Sequence, residues 1–561
     1  MSELNTSALN SSVLRRAQRL LLYVAISVTL IVTPQFNLDP INLPKFLLLV
    51  VFSGALIGYL KGEIFKIPTD LRIASIFFVL SMFITFFLSG APFLGQFYGD
   101  FGRNTGLLTY FSLVIIFLSA VVVNRSGFSE KIIRVMIGSG SMVVMYGLIQ
   151  WADLDPVDWA NPYNKILGTL GNPNFASAFF GFTVIACLAY IFDQNQSNAQ
   201  RLPLALLALL APFLIIKSDA IQGLMLTLLG VTLLFYLRFL KEKKNFVVTF
   251  TYICTFFICG FLAILGLLQR GPLGTLLYQE SVTYRGDYWQ AGWKMLWANP
   301  LTGVGMDSYG DWYRASRTLE ATERRGPDVI SNSAHNVFLD LASNGGFPLV
   351  LSYFMIVSIV ARSAWKLVKR NGGYDKVASA LVVIWIAYVF QSIISINQIG
   401  LALWGWLLGG AIIGYEKFGE VELARLKRKE SIKDYRSIPP SYVLTSALSM
   451  LIAALLGLGP VMKDASYISA VKKGDFVAIE NATMRFPHDG FYFNYSSRIA
   501  LENDYSEKAR QFSKSAIQQN ARDFNAWALL LQNPEVSDIE KSQAVETMRD
   551  LDPFNGSLPK D

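Results

Sequence analysis

Thirteen apolar stretches run through this chain of 561 residues, and they constrain its fold more than any other feature. They lie near 17–33, 43–60, 72–89, 105–123, 133–151, 175–192, 202–216, 223–239, 246–268, 345–364, 377–396, 398–415 and 441–461, the seventh and twelfth being short. A helix needs roughly 20 apolar residues to cross the ~30 Å hydrocarbon layer. Hydrocarbon cannot solvate backbone amides, so each run has to bond its own backbone as a helix. The expected fold class is therefore all-α: a polytopic membrane protein with about 13 transmembrane helices. Charged residues make up only 16% of the chain, against about a quarter in soluble proteins, which fits that class.

The three cysteines, Cys187, Cys254 and Cys259, all sit inside apolar runs. No CxxC pair or Cys/His cluster occurs, so neither a disulfide framework nor a zinc site is expected. The first run lacks a small-residue cleavage site and is followed by further spans. It reads as a signal-anchor-like helix rather than a removed leader.

Lysine and arginine in short loops set orientation. Arg15, Arg16 and Arg19 precede the first span. Lys61, Lys66 and Arg72 follow the second, and Arg125, Lys131 and Arg134 follow the fourth. Arg238, Lys241, Lys243 and Lys244 follow the eighth, and Arg362, Lys366, Lys369, Arg370 and Lys376 follow the tenth. Lys417, Arg425, Lys427, Arg428, Lys429, Lys433 and Arg436 follow the twelfth. With thirteen spans all of these groups fall on one side, so the N-terminus is expected in the cytoplasm. The net charge of +8 thus marks topology rather than a nucleic-acid face. The 269–344 loop and the tail from 462 are expected outside.

That tail, 462–561, has no run long enough to cross. Helices are expected over 490–502, 504–519, 523–532 and 537–551, with Ala509, Phe512 and Ala516 on one face. Paired short helices of this kind resemble tetratricopeptide (TPR) units. The domain reading is a transmembrane part, 1–461, and a soluble TPR-like helical part, 462–561, able to take a protein partner.

The longest polar interruption carries Tyr284-Arg285-Gly286-Asp287-Tyr288-Trp289, Asn299-Pro300-Leu301-Thr302-Gly303-Val304-Gly305 and Ser331-Asn332-Ser333-Ala334-His335-Asn336. His335, one of two histidines, can exchange a proton near neutral pH. Position alone does not separate that role from local capping at a helix start. Arg285 can grip phosphate oxygens in a bidentate fork, or simply snorkel at the membrane face. Asn172 and Asn174 after a Gly-rich turn suit sugar or phosphate contacts, and equally suit a helix cap. Arg103 lies in another outer loop, and Lys217 in a short charged turn. Asp153-Leu154-Asp155 has the spacing of a divalent-ion motif without a further ligand, so no metal is expected.

Together these stretches resemble the O-antigen ligase/polymerase superfamily over roughly residues 95–415. The arginine, the NPLTGVG run and Ala334-His335-Asn336 in one outer loop carry the likeness. Phe97–Gly106 and Gly171–Asn174 look like its other recurring stretches. The resemblance implies a GT-C-like helical architecture on the bacterial cytoplasmic membrane. It implies transfer of a glycan from an undecaprenyl-diphosphate carrier to a glycan, lipid or protein acceptor on the outer face, without cofactor or metal. By this likeness Arg285 binds the diphosphate and His335 acts as base or phosphate contact. Arg103, Lys217, Asn172, Asn174 and Asn336 are the expected substrate-binding positions. Ligases often carry Ser-Arg in the turn where this chain has Lys217-Ser218-Asp219, so Lys217 and Arg103 both stand as the second cation. Ligase, polymerase and protein O-oligosaccharyltransferase all fit the pattern. A flippase would call for ionisable residues at mid-membrane and internal repeats, and almost none of the former and no clear repeat are present.

Overall fold

The computed structural model describes residues 11–559 except 62, 64–66, 125–126, 160–163, 244, 278–279, 371–372 and 428–437. Of the topology cations, Lys66, Arg125, Lys244, Arg428, Lys429, Lys433 and Arg436 lie outside the described residues. The described chain is helical, without a β-strand. Its first half comprises α1 (Ser11–Leu30), α2 (Asn42–Leu60), α3 (Thr69–Leu88), the short α4 (Phe93–Tyr98), α5 (Leu107–Val123), α6 (Phe128–Trp151), α7 (Pro173–Ile191), α8 (Asn198–Lys217), α9 (Ile221–Phe235) and α10 (Phe246–Leu267). A loop region with α11 (Gly274–Leu277), α12 (Glu280–Ala298), α13 (Tyr309–Ser316) and α14 (Leu319–Arg325) follows. Then come α15 (Val337–Lys369), α16 (Lys376–Ile394), α17 (Ile399–Lys427) and α18 (Pro440–Lys473).

Every expected apolar run falls on one of these helices, and among the described residues eleven helices, α9 counted with its continuation to Leu240, are long and apolar enough to cross a membrane. The two others are α5, with 17 residues, and α1, which carries Arg15, Arg16 and Arg19. Helices α5, α7 and α17 are buried almost all round and form the centre, whereas α10 turns its apolar side chains outward, as a lipid-facing helix does.

Lipid is as apolar as leucine, so helices in a membrane associate through close packing of small residues. The α2/α18 pair shows this. A Cβ on Gly54 would lie 2.5 Å from the Ala453 Cβ, and one on Gly58 would lie 2.4 Å from the Ser446 backbone nitrogen. The helices are close enough for the Ser446 and Ser449 hydroxyls to donate to the Ala55 and Gly54 carbonyls, at 2.6 and 2.8 Å. Gly410 and Gly414 play the same part where α17 meets α5, against the carbonyl of Phe117 and Cβ of Asn124.

Contacts sort the loops into two ends. At one end Arg362 pairs with Asp70, Lys366 with Glu416 (3.3 Å) and Lys376 with Asp193 (2.9 Å), while Lys241 donates to the Arg370 carbonyl. Several of the cation-rich connections therefore share one end. The opposite end holds 91–106, the α12–α14 region and the tail.

At 34 residues, α18 is about 50 Å long, more than a bilayer needs. It runs through 461–462 without a break and carries α19 (Phe476–Thr483), α20 (Gly490–Glu502), α21 (Ser506–Gln519), α22 (Phe524–Gln532) and α23 (Asp538–Leu551). The four expected tail helices all form, while α19 and the extension of α18 were not anticipated. Ala509, Phe512 and Ala516 are buried together against Phe493 and Ala500 of α20 and Ala526 of α22.

The tail is clamped to the loop region. Asp552 accepts from Arg314 (2.9 Å) and, through both oxygens, from Arg317 (2.8 and 2.7 Å). Asp552 is 1% exposed and Arg317 2%, so this is a buried ion cluster. Phe101 stacks on Phe491 at 3.8 Å, and the Leu38 N–H donates to Asp464.

Two outcomes follow from this packing. Gly58→Leu forces α2 away from α18 and lowers stability by about 1–3 kcal/mol, read as a lower melting temperature in detergent; an unchanged melt would refute the contact. Asp552→Ala leaves two buried guanidinium groups unpaired and costs about 3–5 kcal/mol. Limited proteolysis should then cut the 309–336 region faster than in the parent.

Candidate functional site

The NPLTGVG run forms the floor of the site. Its backbone zips along the start of α15: the Val304 N–H donates to the Ser343 carbonyl (2.9 Å), Gly305 to Asn344 (3.0 Å) and Phe347 back to Pro300 (2.8 Å). Gly346 breaks the α15 helix with φ 68°, and a Cβ on Gly303 would sit 2.2 Å from the Asn344 carbonyl carbon. Only glycine fits so close a backbone approach. The run joins the end of α12 to the kink in α15, which fixes α12 across the mouth of the bundle.

Residues 284, 285 and 288 of α12 build the cluster. Tyr288 stacks on the His335 ring, centroids 5.0 Å apart. The Arg285 Nε donates to the Ile394 carbonyl at the end of α16 (2.9 Å), and its Nη1 reaches Ser281. Asp287, on the same helix, holds Arg324 in two bonds of 2.6 and 2.7 Å. That bridge pins α14 to α12 and carries the next residue, Arg325, over the Tyr284 ring (4.1 Å) with a bond to the Tyr288 hydroxyl. Among the described residues no carboxylate pairs with Arg285 or Arg325. Two uncompensated guanidinium groups thus flank Tyr288 and His335.

His335 sits in the left-handed region, φ 52°, where a non-glycine residue has to be held. Asp340, in the first turn of α15, holds it. Its carboxylate accepts from the Ser333 hydroxyl (2.8 Å) and the Ala334 N–H (2.7 Å), and the Ser333 Oγ accepts the His335 N–H (3.0 Å). Burial, then the positive fields of Arg285, Arg103 and Arg325, push the half-buried imidazole down to about 3. His335 is therefore a neutral ring at physiological pH.

Arg103 lies behind this strand. It is 8% exposed, pairs with Asp307 at 3.1 Å, comes within 4.0 Å of Asp340, and donates to the Asn332 carbonyl. Its charge is compensated by those carboxylates, unlike that of Arg285. Asn172 caps α7 by accepting the Asn174 N–H (2.9 Å), and Asn336 caps α15 by accepting from Phe338 and Leu339 (3.0 and 3.1 Å). Lys217 is exposed beside Phe213, and no described contact joins it to the cluster.

The structure thus brings Arg285, His335 and Arg103 together, and among the described residues no contact joins Lys217, Asn172 or Asn174 to them. Arg325 is the residue that sequence reasoning passed over as one more loop cation. The adjacent Arg324, with an acid 37 positions upstream to bind it, was the available signal. Asp153 pairs with Lys165 (2.6 Å) and Asp155 with Tyr146 (2.8 Å), so the two carboxylates serve different partners. Among the described residues no group of His, Cys, Asp and Glu is placed to hold a metal.

The second histidine, His488, can be removed to leave a single NMR reporter. In a His488→Gln protein with 15N-histidine, the His335 ring should stay neutral through the range where a free imidazole titrates. The sign follows from its depressed value: the ring takes a proton only when the pH falls towards 3. An inflection near 6.5 would contradict the geometry.

Residues 174–354 match the family described as O-antigen ligase, a stretch from the start of α7 into α15 that holds Arg285, Arg325 and His335. No curated protein matches the chain. The matched segment, about a third of the chain and set in a bundle of helices long and apolar enough to cross a membrane, supports the likeness to the O-antigen ligase/polymerase superfamily.

Proposed function

We propose that the protein transfers a glycan from an undecaprenyl-diphosphate carrier to an acceptor hydroxyl on the outer face of the bacterial cytoplasmic membrane. The observation that carries this reading is the pair of unpaired guanidinium groups, Arg285 and Arg325, on either side of a neutral histidine at the mouth of an apolar bundle. The family match supports glycan transfer. Its polymerase and protein O-oligosaccharyltransferase members share the same chemistry with another acceptor.

In the reaction the acceptor oxygen bonds to the anomeric carbon while the bond from that carbon to the diphosphate oxygen breaks. The electron pair leaves with the diphosphate, where Arg285 and Arg325 stabilise the growing negative charge. The acceptor proton goes to His335. A ring held near 3 is a weak base, but the fields that depress it come in part from the two arginines that the diphosphate neutralises. Donor binding therefore raises the basicity of His335 as it delivers the sugar. Arg103 and Asp340 act through His335, as positioning residues, and Asn172, Asn174 and Asn336 hold the loops that surround the donor.

We place the N-terminus in the cytoplasm and the loop region and tail outside, because the cation-rich connections share one end of the bundle. The tail helices pack as successive antiparallel pairs, and we read them as a TPR-like module open to a protein partner.

The test supplies purified protein with undecaprenyl-diphosphate-linked glycan and follows carrier release. Arg285→Ala, Arg325→Ala and His335→Ala should each slow release by about 10²–10³-fold, and Lys217→Ala by no more than a few-fold. Wild-type rates in both arginine variants would remove the reading. A cysteine replacing exposed Asp328, in a cysteine-free background, should label from outside intact cells; labelling only after permeabilisation would invert the topology.

A further inference from the structure

A cavity of about 280 Å³ opens between the loop region and the tail, on the far side of the Arg103 network from His335. One wall is Asp100, Asn104 and Asp307, and the other is formed by the starts of α20 and α22, at Asp489 and Asp523. Its chemistry is one-sided. The Asp100 carboxylate makes no hydrogen bond among the described residues. Asn104, 4% exposed and lining the cavity, has a buried Oδ1 without a donor, and the Asn494 Oδ1 and His488 Nδ1 are in the same condition.

The cations in the wall are engaged in part by protein acceptors and rings. Arg314 is bonded to Asp552 and the Pro327 carbonyl, and Lys463 to the Thr483 and Pro487 carbonyls (both 2.9 Å). Arg522 lies 3.5 Å over the Trp312 ring and donates to the Asp311 carbonyl. Carboxylates line both walls, and the five of them (Asp100, Asp307, Asp311, Asp489 and Asp523) outnumber these three cations. Aromatic faces complete the lining, among them Tyr98 and the Phe101–Phe491 stack.

We propose that this cavity binds a hydroxyl-rich, non-acidic saccharide of about one or two rings, the size set by comparison with small-molecule sites that begin near 300 Å³. Sugar hydroxyls supply the donors that Asn104, Asn494 and Asp100 lack, and the C–H faces of a pyranose suit the aromatic wall. Acidic sugars are turned away by the carboxylates. Asp100 is exposed and lines the cavity, so its oxygens can accept from a sugar hydroxyl.

The proposal deepens the transfer reading, since Asn332 lines the cavity three residues before His335 and its carbonyl is held by Arg103. A saccharide seated there is either the acceptor or the distal part of the donor glycan.

The experiment presents the full chain in nanodiscs to an array of free neutral, amine-bearing and uronate-bearing bacterial oligosaccharides. Neutral saccharides should bind and uronate-bearing ones should not. Asn104→Gly, which removes the acceptor and keeps the left-handed backbone, and Asp100→Leu should each weaken binding about tenfold or more. Both variants should still bind undecaprenyl diphosphate, which shows that they are folded. Arg285→Ala should do the reverse, losing the diphosphate and keeping the saccharide. Loaded beforehand with lipid-linked glycan, the protein loses array binding if the site serves the donor and keeps it if the site serves the acceptor. Absence of any neutral binder, preference for uronates, or undiminished binding by both cavity variants overturns the proposal. Loss of diphosphate binding alone would count against the transfer reading and leave this one standing.

Discussion

A single buried guanidinium joins the parts of the loop end. Arg103 leaves the turn before α5 and meets Asp307, from the end of the NPLTGVG segment, Asp340, from the first turn of α15, and the backbone at Asn332. Asp307 in turn accepts from the Thr105 N–H and hydroxyl and from the Asp100 N–H. Arg103 is some two hundred positions from the other segments in the chain, and the charge network adds to backbone and amide contacts, such as the Met306 N–H to Gln96 Oε1 at 3.0 Å, in bringing them to one point. Removing one member of such a network leaves a buried charge uncompensated, which costs far more than the intact pair contributes. Network formation therefore decides whether the Ser333–His335 strand has a defined shape.

Packing and chemistry are divided between two kinds of residue. Within the bundle, glycine and serine let backbones touch, as Gly54, Gly58 and Gly410 do, and no charge is needed. At the mouth, cations are arranged in two states. Arg103 and Arg324 each meet a carboxylate and Arg314 and Arg317 share that of Asp552, whereas Arg285 and Arg325, like Arg522 nearer the tail, are left with carbonyls, hydroxyls or aromatic faces. The matched ones tie the loops together, while Arg285 and Arg325 keep a positive potential beside His335.

The bundle could be read from hydrophobic run length alone, because hydrocarbon permits little else than a helix. The tail helices were equally legible, since Ala509, Phe512 and Ala516 recur at helical spacing. What escaped was long-range. Nothing near Arg103 in the chain announces Asp307 or Asp340, so its ion pairs with them could not be read from the sequence. Asn172 and Asn336 carry the residue type that caps a helix, and both do so here. Arg325 looked like any loop cation because its meaning comes from the neighbour that Asp287 captures. The boundary placed at 461 followed the end of an apolar run, whereas the backbone of α18 ignores that change in composition.

The bond between Asp552 and the two loop arginines bears on how the protein is made. Arg317 precedes Asp552 by 235 residues, and four further helices long and apolar enough to cross a membrane are synthesised between them. During translation the loop emerges with two cations whose partner does not yet exist, and it stays open until the last helices have been inserted and the tail has arrived on the same side. The carboxylate thus acts as a late keystone, and a chain cut short anywhere before it leaves the ribosome with a bundle but without a closed loop.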